Sequence, residues 1–456
     1  MREGALFHLQ EAASAIGAKL KGASNPIVMG VGIDSRLIKP GELFVALQGE
    51  HTDGHLHVAE AFARGASAAM VCRRVEAEGP LLEVDDCLRG LSDLAKWHRS
   101  RVNPMVIGVT GSVGKTTVKE MIASIAATRF RTLKSEGNFN TEIGLPLTLL
   151  RLKPATEVAV VEMAMRGLGQ IQKLCEIARP SIGVITSIGE THLELLGSVE
   201  NIARAKWELV ESLPADGWAI LNWDEPWPRR LAPSARCRLV RFGFSPEADV
   251  TARDVRDRGE EGMSYTLVTV KGEINVNLPV NGKHMVCNSL AGAAFGLIVG
   301  LELEEIRFGL EHFSSSKMRL ELLRIGDVLV INDAYNANPS SMKAALEVLK
   351  SMAKGRCIAV LGDMLELGTR AVEGHREVGQ KCAEVGIDIL VGVGPLSKNI
   401  TEAAITSGVG ASRVYWCKDR AEASQLLSSL VKPGDTVLVK GSRGSKMEEV
   451  IVGLKG

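Results

Sequence analysis

Met105-Val-Ile-Gly-Val-Thr-Gly-Ser-Val-Gly-Lys-Thr-Thr117 sets an apolar, strand-like run against a glycine-rich turn, and Val118-Lys-Glu-Met-Ile-Ala-Ser-Ile-Ala-Ala127 follows as a helix-forming stretch. Strand, glycine turn and helix in this order make a phosphate-binding loop. The glycines turn backbone N–H groups inward, the helix presents its positive end, Lys115 reaches terminal phosphates and Thr116 holds Mg²⁺. Gly111, Ser112, Val113, Gly114, Lys115, Thr116 and Thr117 are therefore the candidate phosphate contacts. The standard spacing would set a glycine at position 109, where this chain has Val109. The loop is a variant, and the alternative reading is a strand-to-helix turn with an incidental lysine.

Working outward, EVAVVEM (157–163), IGVITSIG (182–189) and WAILN (218–222) add apolar runs separated by helical stretches, which is the pattern of a parallel sheet. YTLVTV-KG-EINVNLPV (265–280) reads as a hairpin, and a buried helix follows through Asn288 and Leu301. A second alternating series runs through VLVIND (328–333), CIAVLG (357–362), DILVGV (388–393) and DTVLVKG (435–441). The reading is an α/β protein of three domains: a small N-terminal α/β lobe over 1–84, a central P-loop domain over 85–314, and a C-terminal Rossmann-like domain over 315–456, with Ser314-Ser315-Ser316 at the joint.

A length of 456 residues with 45% hydrophobic content fits three cores. Lys plus Arg and Asp plus Glu both number 54, so nothing in the total charge calls for nucleic acid or an anionic membrane. Any bound anion must be held by a local device. The eight cysteines are scattered, with no C-x-x-C and no tight Cys/His cluster, which argues against a disulfide scaffold and a zinc site and for a reducing cytoplasm. Cys72, Cys357 and Cys382 lie in apolar runs and read as buried, whereas Trp97 and His98 read as packing and surface groups. The N-terminus lacks the apolar run of a signal peptide, and Leu290–Leu301 is shorter than the roughly 20 residues of a membrane helix.

Three further side chains stand near predicted strand ends or on a helix. Glu162 ends EVAVVE, where a second-strand Mg²⁺ ligand sits, but it reads equally well as a solvated strand end. His192 follows IGVITSIG and suits a second metal or a phosphate, or is a surface histidine. Lys206, on a helix from about Val199 to Leu213, reads by itself as solvent-facing.

The segments TGSVGKTT (110–117), SEGNFNTEIGLPLTLL (135–150), VVEM (160–163), THLE (191–194), ARAK (203–206), GKHMVCNSLAGAAF (282–295), MRLE (318–321), NDAYNANPSSMKAAL (332–346), GDMLELG (362–368) and KGSRGSKME (440–448) resemble, in this order, those of the Mur ligases. DAYNANPSSM, and GDMLELG followed by His375, favour the member that joins D-alanyl-D-alanine to UDP-N-acetylmuramoyl-tripeptide. The Asp-Asn-Pro-Arg motif of the diaminopimelate-adding member is absent.

The resemblance implies ATP and two Mg²⁺ ions as cofactors, with Lys115 and Thr116 on the phosphates, Thr116, Glu162 and His192 on metal, and a carbamate on Lys206. It implies nucleotide contacts from Asn222, His284, Asn288, Arg319 and Asp333, with Arg319 on the terminal phosphate and Asp333 on the ribose. It sets Ser35 and Arg36 on the uridine diphosphate, Asn138, Asn140 and Thr141 on the muramoyl-peptide, and Tyr335, Asn336 and Asn338 among the substrate contacts. Lys115, Glu162, His192, Lys206 and Arg319 form the implied catalytic set, in a cytoplasmic monomer. The chain departs from the family pattern at Ser112, Trp207 and Thr141, where Thr, a small residue and Asn are expected. Two alternatives are a folylpolyglutamate-synthase-like ligase, which lacks a counterpart to residues 1–84, and a GTPase, for which the expected Asn-Lys-x-Asp segment is missing.

Overall fold

The structure is a computed structural model that describes residues 5–22, 24–49, 52–191 and 193–454. Its organising element is a six-stranded, wholly parallel sheet, in the order Arg238–Phe242, Trp218–Asn222, Ile182–Ile185, Met105–Thr110, Val158–Glu162, Thr132–Lys134. Its inner strands are apolar on both faces because helices cover both, as parallel sheets require. The chain leaves Met105–Thr110 to build one flank and returns to build the other. A topological switch point therefore lies at the C-terminal end of that strand, where open α/β sheets bind ligands.

A second six-stranded sheet is built from Glu321–Ile325, Val328–Asp333, Thr436–Lys440, Cys357–Gly362, Ile389–Val393 and Val414–Cys417. The last strand in chain order, Thr436–Lys440, lies between two earlier ones, so Asp333 and Lys440 are register partners. All four strand runs expected here are present. Val414–Cys417 and the antiparallel edge Glu321–Ile325 are additional. The hairpin expected at 265–280 is Met263–Thr269 with Gly272–Leu278, and a third strand, Thr251–Asp257, joins it.

The N-terminal lobe is a five-stranded sheet, mostly parallel, with an antiparallel edge at Lys19–Lys21. One continuous apolar core runs from this lobe into the central sheet, through Leu43, Leu94, Leu145 and Ala159. The helix Cys87–Val102 contributes to it, and one of its residues differs from expectation. His98 is buried, with Nε2 2.9 Å from the Leu152 carbonyl oxygen, instead of lying on the surface. Its neighbour Trp97 packs as expected, half-buried with its ring edge-on to Phe7 at 5.3 Å. Cys357 and Cys382 are buried as expected, but Cys72 is exposed because it falls one residue beyond the strand Ala68–Val71. The fold also gathers His55, Cys72 and Cys87 within 4.8 Å of one another, contrary to the expectation of no Cys/His cluster.

A second core joins the central sheet to the C-terminal one, through residues such as Leu290, Val348 and Leu438. The two lobes also meet through ion pairs: Arg370 Nε with Glu190 Oε2, 3.3 Å apart and about one-third exposed, and Glu260 with Arg324 and Lys354. Among the described residues, no helix is long and apolar enough to cross a membrane.

Candidate active site

The two six-stranded sheets both contribute strand ends to a common cleft of about 1010 Å³. At its base, the loop 111–114 leads into the helix Lys115–Ala126. Gly114 has φ +87°, and a Cβ there would lie 2.7 Å from Asn288 Oδ1. At Gly111 a Cβ would lie 1.9 Å from Thr186 Oγ1. Both positions therefore admit only glycine, and the backbone can approach a ligand closely.

The loop is held from the neighbouring strand. The amides of Ser112 and Val113 donate to the carbonyl and hydroxyl oxygens of Ser187, at 2.8 and 2.9 Å, and Gly189 N donates to Ser112 Oγ at 2.9 Å. Thr186 and Ser187 were not among the expected residues. They follow an apolar run that reads simply as a strand, so their signal is topological.

Lys115 Nζ donates to the carbonyl oxygens of Gly111 and Ser112, at 2.8 and 3.4 Å. Burial pushes its pKa down, Glu162 opposes that shift, and Arg319 adds to it, so these three charges share one field. Glu162 is only 3% exposed, which removes the solvated strand-end reading. Thr116 Oγ1 donates to its Oε2 at 2.8 Å and Asn140 Nδ2 to its Oε1 at 2.9 Å. A hydroxyl and a buried carboxylate beside a phosphate loop are hard oxygen donors, a set that fits Mg²⁺. His192, the third expected metal ligand, lies outside the described residues.

Lys206 is 2% exposed, which overturns the solvent-facing reading. Burial, with Lys115 nearby, pushes its pKa well below the ordinary lysine value. On the opposite wall, the Arg319 guanidinium stacks on the Tyr335 ring at 4.0 Å, and its buried Nε has no hydrogen-bond partner among the described residues. Such a cation is pre-positioned by an aromatic face and still has donor capacity to offer.

Asp333 accepts from the Leu320 amide at 3.1 Å and from Lys440 Nζ at 2.6 Å. Lys440 also donates to the Asn336 carbonyl oxygen at 2.9 Å. The Asn338 side chain caps the helix Pro339–Met352, accepting from Ser341 N at 2.8 Å, so its local role is structural. Asn222 Nδ2 donates to the Thr186 carbonyl oxygen at 3.0 Å. The half-buried His284, whose pKa burial lowers, and Asn288 line the same cleft, with exposed Asn138 and Thr141 at its rim.

Ser35 and Arg36 are not part of this cleft. Ser35 Oγ donates to Glu60 Oε2 at 2.8 Å, and the exposed Arg36 pairs with Asp34 at 2.7 Å. His375, which helped select the family member, is buried and structural: its Nε2 accepts from the Met364 amide at 3.0 Å.

Three family models match the chain: "Mur ligase family, catalytic domain" over residues 27–98, "Mur ligase middle domain" over 109–296, and "Mur ligase, glutamate ligase domain" over 318–443. The chain is 39% identical over 430 residues to the UDP-N-acetylmuramoyl-tripeptide--D-alanyl-D-alanine ligase of Bacillus subtilis, covering 93% of each. The chain belongs to the Mur ligase family. Among solved structures, this Mur ligase is similar to MurF from Acinetobacter baumannii, with TM-score 0.90, 32% identity and 99% of each chain covered. It is also similar to MurF ligase from Thermotoga maritima in complex with ADP, with TM-score 0.83, 28% identity, and 93% of this Mur ligase and 97% of that chain covered. The three-domain α/β reading agrees with these neighbours.

Proposed function

We propose that this Mur ligase joins D-alanyl-D-alanine to UDP-N-acetylmuramoyl-tripeptide at the expense of ATP, in cytoplasmic peptidoglycan precursor synthesis. The observation that carries this reading is the phosphate loop opening on a cleft whose far wall offers Arg319, in a chain whose Bacillus relative matches it over 93% of its length. That coverage takes in the N-terminal lobe, which favours this reading over a folylpolyglutamate-type ligase.

A carboxylate and an amine do not condense in water because the carboxylate oxygen is a poor leaving group. The tripeptide carboxylate is therefore phosphorylated by ATP, giving an acyl phosphate and ADP. The amine of D-alanyl-D-alanine attacks the acyl carbon, a tetrahedral intermediate forms, and phosphate leaves with the C–O bonding pair as the nitrogen loses its proton. The protein must neutralise phosphate charge, align the reactants and exclude the water that would hydrolyse the acyl phosphate. Lys115 and Arg319 supply positive charge from opposite walls. Asp333 takes the ribose, Asn222, His284 and Asn288 the adenine side, and Asn138, Asn140 and Thr141 the peptide. Tyr335 holds Arg319 in place, and Ser35 and Arg36 in the first lobe take the uridine diphosphate.

Thr116 and Glu162, with His192, would hold Mg²⁺, which supplies further neutralisation of phosphate charge when bound. Lys206 supports the carbamate reading: a buried lysine beside another cation favours the neutral amine, the form that adds carbon dioxide to give a carbamate and a proton. The division into lobes 1–84, 85–314 and 315–456 then becomes a division of ligands. The test is release of ADP and phosphate. It is expected only when tripeptide and dipeptide substrates are both present, and brisk hydrolysis with neither would overturn the reading.

A further inference from the structure

Three elements of the N-terminal lobe converge away from the cleft. His55 lies in the short turn Gly54–His57, Cys72 follows the strand Ala68–Val71, and Cys87 opens the helix Cys87–Val102. His55 Nε2 lies 3.4 Å from Cys72 Sγ and 3.9 Å from Cys87 Sγ. A tetrahedral zinc with bonds of about 2.0 Å to nitrogen and 2.3 Å to sulfur sets its ligand atoms about 3.5–3.8 Å apart, so the spacing is already near that of a bound site.

The surroundings match as well. His55 Nδ1 is 2.7 Å from Asp53 Oδ1, which fixes the tautomer with Nε2 free of a proton and facing the sulfurs. Asp53 is held in turn by the His55 amide at 2.9 Å and by Arg73. A carboxylate on the far nitrogen of an imidazole is the outer-shell arrangement that metal-binding histidines use. Cys87 opens its helix, whose N-terminal dipole favours negative charge, but burial outweighs this and pushes the thiol well above its ordinary range, so it is the arriving cation that would draw off the proton. Cys72 is exposed, giving an entry path and an open fourth position, whereas His55 and Cys87 are buried. Two thiolates would balance the charge of one divalent cation.

From this geometry we propose that His55, Cys72 and Cys87 form a Cys₂His site for a borderline-soft divalent cation, with zinc the best match, and Asp53 as its outer-shell partner. Nε2 now accepts from the Cys72 amide at 3.1 Å, and the metal would replace that bond. Bound there, the ion would pin a turn, a strand end and a helix start to one another.

The test uses the reduced, untagged full-length chain titrated with Zn²⁺ against a chromophoric chelator, with Co²⁺ as the spectroscopic probe. One tight equivalent is expected, together with sulfur-to-cobalt charge-transfer absorption and a rise in the thermal midpoint on Zn²⁺ addition. Cys72→Ser changes an exposed side chain and should keep the fold. It is expected to abolish the charge-transfer band of that thiolate and to weaken Zn²⁺ by more than the roughly 10–100-fold that loss of an outer-shell partner brings. Asp53→Asn is expected to weaken binding about 10-fold with the sulfur band retained. Zn²⁺ affinity unchanged in Cys72→Ser, no sulfur band with Co²⁺, or a Cys72–Cys87 disulfide that forms in place of metal binding would each overturn the proposal.

Discussion

The two walls of the cleft bury lysine in opposite ways. On the C-terminal wall, Lys440 is paired with Asp333 at 2.6 Å, both largely hidden from solvent. On the central wall, Lys115 rests on backbone carbonyls, and among the described residues Lys206 has neither an ion pair nor a hydrogen bond. A buried charge held in an ion pair is stabilised by its partner, whereas one without an ion pair costs stability and is left available to an anion that arrives from outside. In the proposed reaction, phosphate is that anion for Lys115. For Lys206 the proposed carbamate would be the equivalent solution, since it removes the positive charge.

This contrast breaks if substitutions on the two walls behave alike. The largest expected effect is on the central wall: Lys115→Ala should lower kcat by about 10³-fold, as loss of a preorganised charge contact does, while the thermal midpoint stays at or above that of the parent chain. Steady-state kinetics beside a melting curve checks both halves. Next, Lys440→Met should destabilise the protein by about 3 kcal/mol, read as a lowered urea midpoint, because Asp333 is left buried without its cation. The smallest effect is a slope. The folded state lowers the Lys206 pKa, so it binds fewer protons than the unfolded chain between that lowered value and the ordinary one near 10.5, and stability must rise with pH across that interval. In carbon-dioxide-free buffer, urea unfolding of the parent chain should therefore steepen with pH relative to Lys206→Met. Equal slopes would mean that the lysine is charged in the fold.

How much of this was legible in the chain depended on how local each feature is. The phosphate loop lies within one short stretch, and its strand and helix flank it directly, so residues 105–127 carried the reading by themselves. The buried strands were legible because parallel strands covered on both faces read as unbroken apolar runs. Thr251–Asp257 was not, since TARDVRD alternates small, charged and apolar residues on an exposed edge. Lys206 and Glu162 could not be distinguished from solvated residues until the sheet and its helices closed around them. His98 was misread for the same reason, its partner carbonyl lying 54 residues away. The Cys/His cluster has no signature in the sequence, because 17 residues separate His55 from Cys72 and 32 separate it from Cys87, and only the fold brings them together. The resemblance to a family reached the cleft residues that spacing could not, but it was silent on Thr186 and Ser187, which anchor the loop.

The contacts between the central and C-terminal lobes have a mechanical consequence. One group is the apolar core that both lobes share, with Leu290 and Val348 in it. The other is a set of partly exposed ion pairs, Arg370–Glu190, Arg324–Glu260 and Lys354–Glu260, each worth no more than roughly 1 kcal/mol. The ion pairs act as latches that weaken as salt shortens the Debye length, whereas the shared core acts as a hinge held by burial. Added salt therefore loosens the lobes without separating them, and ligands that bridge the cleft add to the work of holding it closed.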